Sequence, residues 1–563
     1  MSAEAPVKLT RNEELKSTIP TLAGTIAATI ADGNADHFSD EDYEFLKFHG
    51  CYQQDDRDLR KTGKKYIMMV RSRVPGGVMT ANQFRVFEEL ATQYGNNTLR
   101  ITTRQTIQFH GILKSNLRPV IHGINASLLS TLAACGDVNR NVMAPPTPAY
   151  TLAREQVYAD CQKIALALAP RTQAYHAIWV DGVQLDLQQA ENKEFSDPLY
   201  RQAYLPRKFK VGFAIPPSND VDVLTNDTAL IAIIEGGELK GYNLAVGGGM
   251  GRSHGNTATY PRLADVIGFI TPDQMVDAVK AVLTIHRDFG DRTNRKHARL
   301  KYVVEERGVD WTRAEVEARA GFELAPARPY AFTSTGDLYG WRPALDGKWF
   351  LTIFVETGRI KDMEGRRMKT ALRLVAEKFP GLEFRLTPNQ NLILANVPEE
   401  DKDAITELLA EHGVKSDHRP APVLHTAAMA CPALPTCGLA LAESERMLPG
   451  LIDRIAALCA EVGLKDEEII IRSTGCPNGC ARPYTAELAF VGKAPGRYQV
   501  WLGGNVAGTR LNRMWKEVVK EAELESELRP VLTRYLNERL NYERFGDWCD
   551  RVLFAEPVNG FSI

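Results

Sequence analysis

No stretch of this chain approaches the roughly 20 consecutive apolar residues that a membrane-crossing helix needs. The nearest, Ile19 to Ile30, is short and rich in threonine. Arg11, Glu13, Glu14 and Lys16 precede it, which is not the purely positive start of a secretory signal. Excess charge is lacking too. The 68 Lys+Arg against 70 Asp+Glu leave a net charge of −2, so no field of the whole molecule draws in nucleic acid or an anionic membrane. Nine irregularly spaced cysteines give no disulfide framework, and a cytoplasmic location is expected. The glycine run Gly247, Gly248, Gly249 lacks the full G-x-G-x-x-G pattern, which argues against a nicotinamide site. At 563 residues the chain is too long for a single core and should form several domains.

What the chain does have is a quartet of cysteines in two clips, CPALPTC (Cys431, Cys437) and GCPNGC (Cys476, Cys480). Two thiolate clips brought together by folding supply the four sulfur ligands of a 4Fe–4S cluster. Zinc clips usually hold two to four intervening residues, and the first clip has five, so iron–sulfur is favoured over structural zinc. Glycine and proline around the second clip let the backbone turn tightly beside a bulky inorganic core. Cys51, Cys135, Cys161, Cys459 and Cys549 read as small core residues.

The chain also contains itself twice. LRITTRQTIQFHGI (99–112) and FRLTPNQNLILANV (384–397) align without gaps, with Arg100 on Arg385, Thr102 on Thr387 and Gln105 on Gln390. Each reads as strand and follows a helical pattern, at 81–94 and 363–379. A weaker pair sets CGDVNRNVMAPP (135–146) against STGCPNGCARP (473–483), placing Asn139 on Asn478. YNLAVGG (242–248) matches YQVWLGG (498–504). A duplication about a pseudo-two-fold follows, with one half holding the metal and the other presenting charge.

Basic residues gather at strand ends and loops: Arg71 and Arg73, Arg100 and Arg104, Arg140, and Arg207, Lys208 and Lys210, with Lys208 and Lys210 on one face of an extended run. A further stretch, Arg292 to Lys301, reads as helical. Any one such residue is ordinarily a solvated surface charge. Together they suit a small dianion, because burying one costs several kcal/mol. A cation at ~4 Å recovers about 4 kcal/mol at an effective dielectric near 20, so several are needed.

From FHGCYQQDDRD (48–58) onward, MMVRSRVPGGV, RITTRQTIQFHG, NRNV, YLPRKFK, VGGG and the two clips make the chain resemble the siroheme-containing sulfite and nitrite reductase family, in its assimilatory NADPH-dependent branch. The resemblance implies a 4Fe–4S cluster on Cys431, Cys437, Cys476 and Cys480, and siroheme joined to it through the Cys480 thiolate. It implies six-electron reduction of sulfite to sulfide, with Arg71, Arg140, Lys208 and Lys210 around the substrate. Arg100, Arg104, Gln108, His110, Arg207, Arg299, Gln390 and Asn478 would meet the cofactors, although His110 reads equally as a core histidine. The expected electron donor is a diflavin (FAD/FMN) NADPH reductase subunit in a hetero-oligomer, docked by an N-terminal arm at 1–60. The nitrite-reducing branch typically has Asn at the position of Lys210, so the lysine favours sulfite. A nitrite reductase, a ferredoxin-dependent enzyme and a non-enzymatic protein with a structural metal knot remain as alternatives. The expected architecture is mixed α/β (α+β) in three lobes: 60–130 with 345–416, 131–344, and 417–563.

Overall fold

The computed structural model describes residues 8–148, 152–172, 178–180, 183–185 and 196–555. Two five-stranded sheets sit at its centre, and each borrows an edge strand from the other copy. The first runs, in spatial order, Cys51–Asp55, Tyr66–Arg71, Ile107–Ile112, Leu99–Ile101 and Arg359–Ile360. The second runs Gly340–Pro343, Trp349–Ile353, Leu392–Val397, Glu383–Leu386 and Val78–Thr80. Arg359 thus pairs with Arg100, and Val78 with Arg385. This exchange is the pseudo-two-fold at the level of backbone hydrogen bonds.

The expected strand 99–112 is two strands around a tight turn, and so is its copy. Gln105 (φ 53°) and Gln390 (φ 70°) take the left-handed backbone at the same position. Gln105 N–H donates to Thr102 O at 3.1 Å and Gln390 N–H to Thr387 O at 3.0 Å. The helix Ala81–Tyr94 begins at a Thr80–Gln83 capping box and buries Phe84, Phe87, Leu90 and Ala91 on one face. Its copy, Met368–Lys378, packs against it, and the Phe84 and Phe384 rings stack at 4.4 Å in their shared core.

Two outer sheets flank this centre. One holds Val211–Ala214, Thr228–Glu235, Glu238–Val246 and Asp265–Ile270; the other holds Ala428–Ala430, Ile471–Thr474, Leu488–Ala494, Arg497–Leu502 and Arg513–Lys520. Val211 pairs in parallel with Thr228 as Ile471 does with Leu488. Met143 bridges Gly212 as Met429 pairs with Arg472. This register corrects the sequence alignment of 135–146 with 473–483. VMAP (142–145) is the counterpart of AMAC (428–431), and 213–225 is the counterpart of 473–485. Asn139 therefore does not answer to Asn478. Cys431, Cys476 and Cys480 correspond to Pro145, Pro216 and Asp220. The match of 242–248 with 498–504 holds, since Gly247 N–H donates to Asp227 O and Gly503 N–H to Glu487 O.

The segment before residue 60 is not a free arm. Leu22, Phe45 and Phe48 enter the core of the second lobe, Phe38 and Leu46 that of the first, and Cys51–Asp55 is a full strand of the first sheet. Lys16 is buried on Glu13 (2.6 Å) and Asp137 (3.4 Å). Apolar side chains at these positions pack the segment into both cores. Residues 1–7 of the expected arm lie outside the described residues. The stretch 292–301 is helical only at its end, where Leu300–Arg307 begins.

Candidate active site and metal centre

The two clips meet where the strands Ala428–Ala430 and Ile471–Thr474 end side by side. Gly475 N–H donates to Cys431 Sγ at 3.3 Å, and Asn478 Nδ2 to Cys476 Sγ at 3.4 Å. Burial and the neighbouring thiols push Cys431 well above its ordinary value and Cys476 up to about 12. Such thiols stay deprotonated only against a strong cation, which is what a metal cluster supplies. Among the described residues, no three His, Cys, Asp or Glu side chains converge as one ion requires. Four thiols carried on two clips at adjacent strand ends suit a polynuclear core. Cys431 and Cys476 are buried, Cys437 is half-buried, and Cys480 is exposed.

Cys480 faces a row of cations and polar groups laid across the first sheet. Arg71 is paired with Gln108, Gln108 with Arg100, and Arg100 with Arg359, so four side chains line up across four strands. With its amide oxygen turned inward, Gln108 accepts from Arg71 Nε at 3.0 Å and from Nη2. Arg71 Nη1 also donates to Cys135 Sγ at 3.0 Å. At the far end of the row, Glu445 takes Arg100 Nε (2.9 Å) and Arg359 Nε (2.7 Å). Those two guanidiniums hold its carboxyl down at about 2 against burial.

Arg100 and His110, expected to meet siroheme, have protein partners of their own. All three nitrogens of Arg100 have protein acceptors, one of them Ala430 O at 2.7 Å, just before Cys431. His110 Nδ1 accepts from Arg359 Nη1 at 3.0 Å, and burial keeps the ring neutral. Gln390 likewise donates to Ala430 O, at 2.8 Å. These residues brace the metal clip. Asn478 turns its amide to the Cys476 sulfur.

The second lobe brings the remaining cations over the same space. Arg140 N–H donates to Phe209 O at 2.9 Å, and Phe209 N–H to Val138 O at 3.0 Å, so the NRN loop and the RKFK run lie together. Phe209 is buried, which turns Lys208 and Lys210 to the opposite side. Neither lysine Nζ has a hydrogen-bond partner among the described residues. Burial, then Arg207 and Arg299, pulls Lys208 down to about 7; burial and Lys208 hold Lys210 well below its usual value. Arg104 falls to about 9 through burial and Arg140, and Arg207 to about 10 through burial and Arg295. Nε of Arg104 and of Arg299 is buried without an acceptor. Arg299 reaches Asp227 at 3.1 Å over Gly249, where a Cβ would stand 2.9 Å from the guanidinium. Among the described residues, Asp137 pairs with Arg207 and Asp227 with Arg299, the two carboxylates that answer this charge. The surplus fits a polycarboxylate such as siroheme, with Arg207 and the unpaired Nε of Arg104 available to hold it, while Asn226 and Asn141 take the other Arg104 nitrogens and Lys208 and Lys210 are left for a smaller anion.

The dyad-related space lacks those cations at the matching positions, although Arg419 and Arg472 line it elsewhere. A cavity of about 530 Å³ is lined by Asn389, Thr426, Glu468 and Ile470, the counterparts of Arg104, Arg140, Lys208 and Lys210. Duplication gave two such spaces, and only one is built for a polyanion. Beside the cavity, burial and Asp337 raise Asp220, the counterpart of Cys480, to about 7.

Sequence reasoning missed Arg359, Glu445, Asp222 and Cys135. Arg359 was findable only through its pairing with Arg100, and Glu445 carries no motif. Cys135 stands in the buried set anticipated for it, yet it holds Arg71.

The comparisons agree with this geometry. Residues 160–324 match the family model for the nitrite and sulphite reductase 4Fe-4S domain, and 60–127 with 342–412 match that for the nitrite/sulfite reductase ferredoxin-like half domain. The first match falls on the copy without the cysteine quartet, as a duplicated fold allows. A sulfite reductase [NADPH] hemoprotein beta-component of Staphylococcus saprophyticus is 49% identical over 98% of this chain and 97% of its own length. That of Geobacillus kaustophilus is 49% identical over 97% and 96%. The solved structure of the NirA protein of Mycobacterium tuberculosis shares the fold, with a TM-score of 0.78 at 23% identity over 97% of this chain and 96% of that one. With half of its residues inside two family models and relatives alike along nearly its whole length, the chain belongs to the nitrite and sulfite reductase family.

Proposed function

We propose that the chain reduces sulfite to sulfide in the cytoplasm, in the assimilation of sulfur into cysteine, with electrons from NADPH delivered by a separate diflavin reductase component. The observation that carries this reading is the pair Lys208 and Lys210, half-buried and without acceptors among the described residues, beside the one exposed thiol of the quartet. When bound, siroheme and the 4Fe–4S cluster supply the electrons and an iron site for sulfur. The protein supplies charge, position and protons. Arg71, fixed by Gln108 and Cys135, and Arg140, fixed by Gly136 O at 2.8 Å, aim rigid forks at the sulfite oxygens. Lys208, poised near neutrality, gives a proton readily as an oxygen leaves as water, and Lys210 stands next to it. Each lysine gains charge as the dianion enters, because the anion offsets the burial that holds the lysine neutral.

Purified, cofactor-loaded chain supplied with reduced methyl viologen and sulfite should release sulfide. Viologen oxidation without sulfide, or only with nitrite, would overturn the reading.

A further inference from the structure

Electrons must reach the cysteine cage from outside, on an edge other than the one where Cys480 opens toward the cationic space. Cys437 is the half-buried member on that edge, and Leu439, two residues on, is 65% exposed. The loop 56–65 is fastened to this edge. Arg57 N–H donates to Pro435 O at 3.2 Å, Arg57 Nη1 donates to Ala440 O, and Arg446 reaches Asp58 at 2.8 Å. The loop is exposed from Asp58 to Lys65, and Leu59 adds an apolar side chain 43% exposed. Arg60 is taken up by Asp55. Lys61, Lys64 and Lys65 have no carboxylate within ion-pair reach among the described residues. Lys64 lies over the Tyr66 ring at 4.6 Å, and with Arg57, Arg60, Lys61 and Lys65 against Asp55, Asp56 and Asp58 the 55–65 segment keeps a positive excess beside the cage edge.

We propose that the 56–65 loop and Leu439 form the docking platform for an acidic electron carrier, the flavin-bearing domain of the reductase component, an inference that rests on the function proposed above. NADPH gives up a hydride, whereas an iron–sulfur cluster takes electrons singly. A flavin converts one into the other, and this chain has no nicotinamide loop of its own. Electron transfer weakens steeply with distance, so the carrier must seat on the cage edge, where the lysines select an acidic face. Complementary charge acts mainly on the rate of encounter and is screened by salt. This places docking on the loop that follows the first strand, in the part of the N-terminal region that the core does not absorb.

The test is Lys61→Glu/Lys64→Glu/Lys65→Glu in cofactor-loaded chain, assayed with the reductase component and NADPH, and separately with reduced methyl viologen. The reductase concentration for half-maximal rate should rise about tenfold or more, its dependence on salt should flatten, and the viologen-driven rate should stay within about twofold. Unchanged dependence on the reductase would overturn the platform. A parallel fall in the viologen-driven rate would also overturn it, since the loop would then serve the cage. Sulfide formation by the unaltered chain with viologen keeps either result separate from a failure of the functional reading.

Discussion

Asp222 and Arg482 stand at the same position of the two copies, and they touch. Both take the left-handed backbone (φ 46° and 52°), and Arg482 Nε lies 2.6 Å from Asp222 Oδ2 across the pseudo-two-fold. Arg472 reaches the same oxygen at 2.6 Å. One buried carboxylate thus neutralises two buried guanidiniums beside the second clip. Asp222→Asn leaves both unpaired, which costs about 3–5 kcal/mol. A lowered thermal midpoint and faster loss of acid-labile sulfide are expected; an unchanged midpoint would show that the pair carries no stability.

Ala430 O receives both Arg100 and Gln390, which fixes the backbone into Cys431. Gln390→Ala removes one donor and should cost about 1–3 kcal/mol. Purified variant should hold substoichiometric iron and sulfide while its far-ultraviolet circular dichroism stays unchanged. Full cluster occupancy would contradict the brace.

Lys208 binds its proton with a value near 7 in the folded chain against 10.5 when unfolded. Between these values the unfolded chain holds more protons, so the cofactor-free protein gains stability as pH rises from about 7 to 10.5. Below about pH 7 the penalty for the buried charge is present in full. Urea midpoints across this window should slope upward, and Lys208→Met should flatten the slope. The same slope in the variant would assign the titration elsewhere.

Lys210→Asn replaces the lysine with a neutral polar side chain. Sulfite turnover per unit KM should fall about tenfold or more, and that for nitrite much less, because a dianion loses more attraction than a monoanion. Equal losses for both substrates would deny Lys210 a part in discrimination.

Much of this was legible in residues whose chemistry is local. The cysteine clips, the Arg71, Arg140 and Lys208–Lys210 groups and the 99–112 repeat each carry their meaning in spacing. Equivalences set by strand register were not legible. Asn139 and Asn478 look alike in sequence, yet hydrogen bonding matches Met143 with Met429 and shifts the alignment. Arg100 reads as one more cation for an anionic ligand, and only its pairing with Arg359 shows that Glu445 engages it. The first 60 residues look polar and weakly periodic, but Phe38, Phe45 and Phe48 are spaced to enter two cores at once. A short segment pinned at many separate points leaves no periodic trace.

The most direct test is the content of iron, acid-labile sulfide and tetrapyrrole in the purified chain and in an Arg104→Ala/Arg207→Ala variant. One four-iron cluster and one tetrapyrrole per chain are expected in the parent, with tetrapyrrole falling in the variant while sulfide is retained. A parent with bound metal but no tetrapyrrole, or a variant as rich in it as the parent, would contradict the assignment of this cationic surface to a polycarboxylate macrocycle.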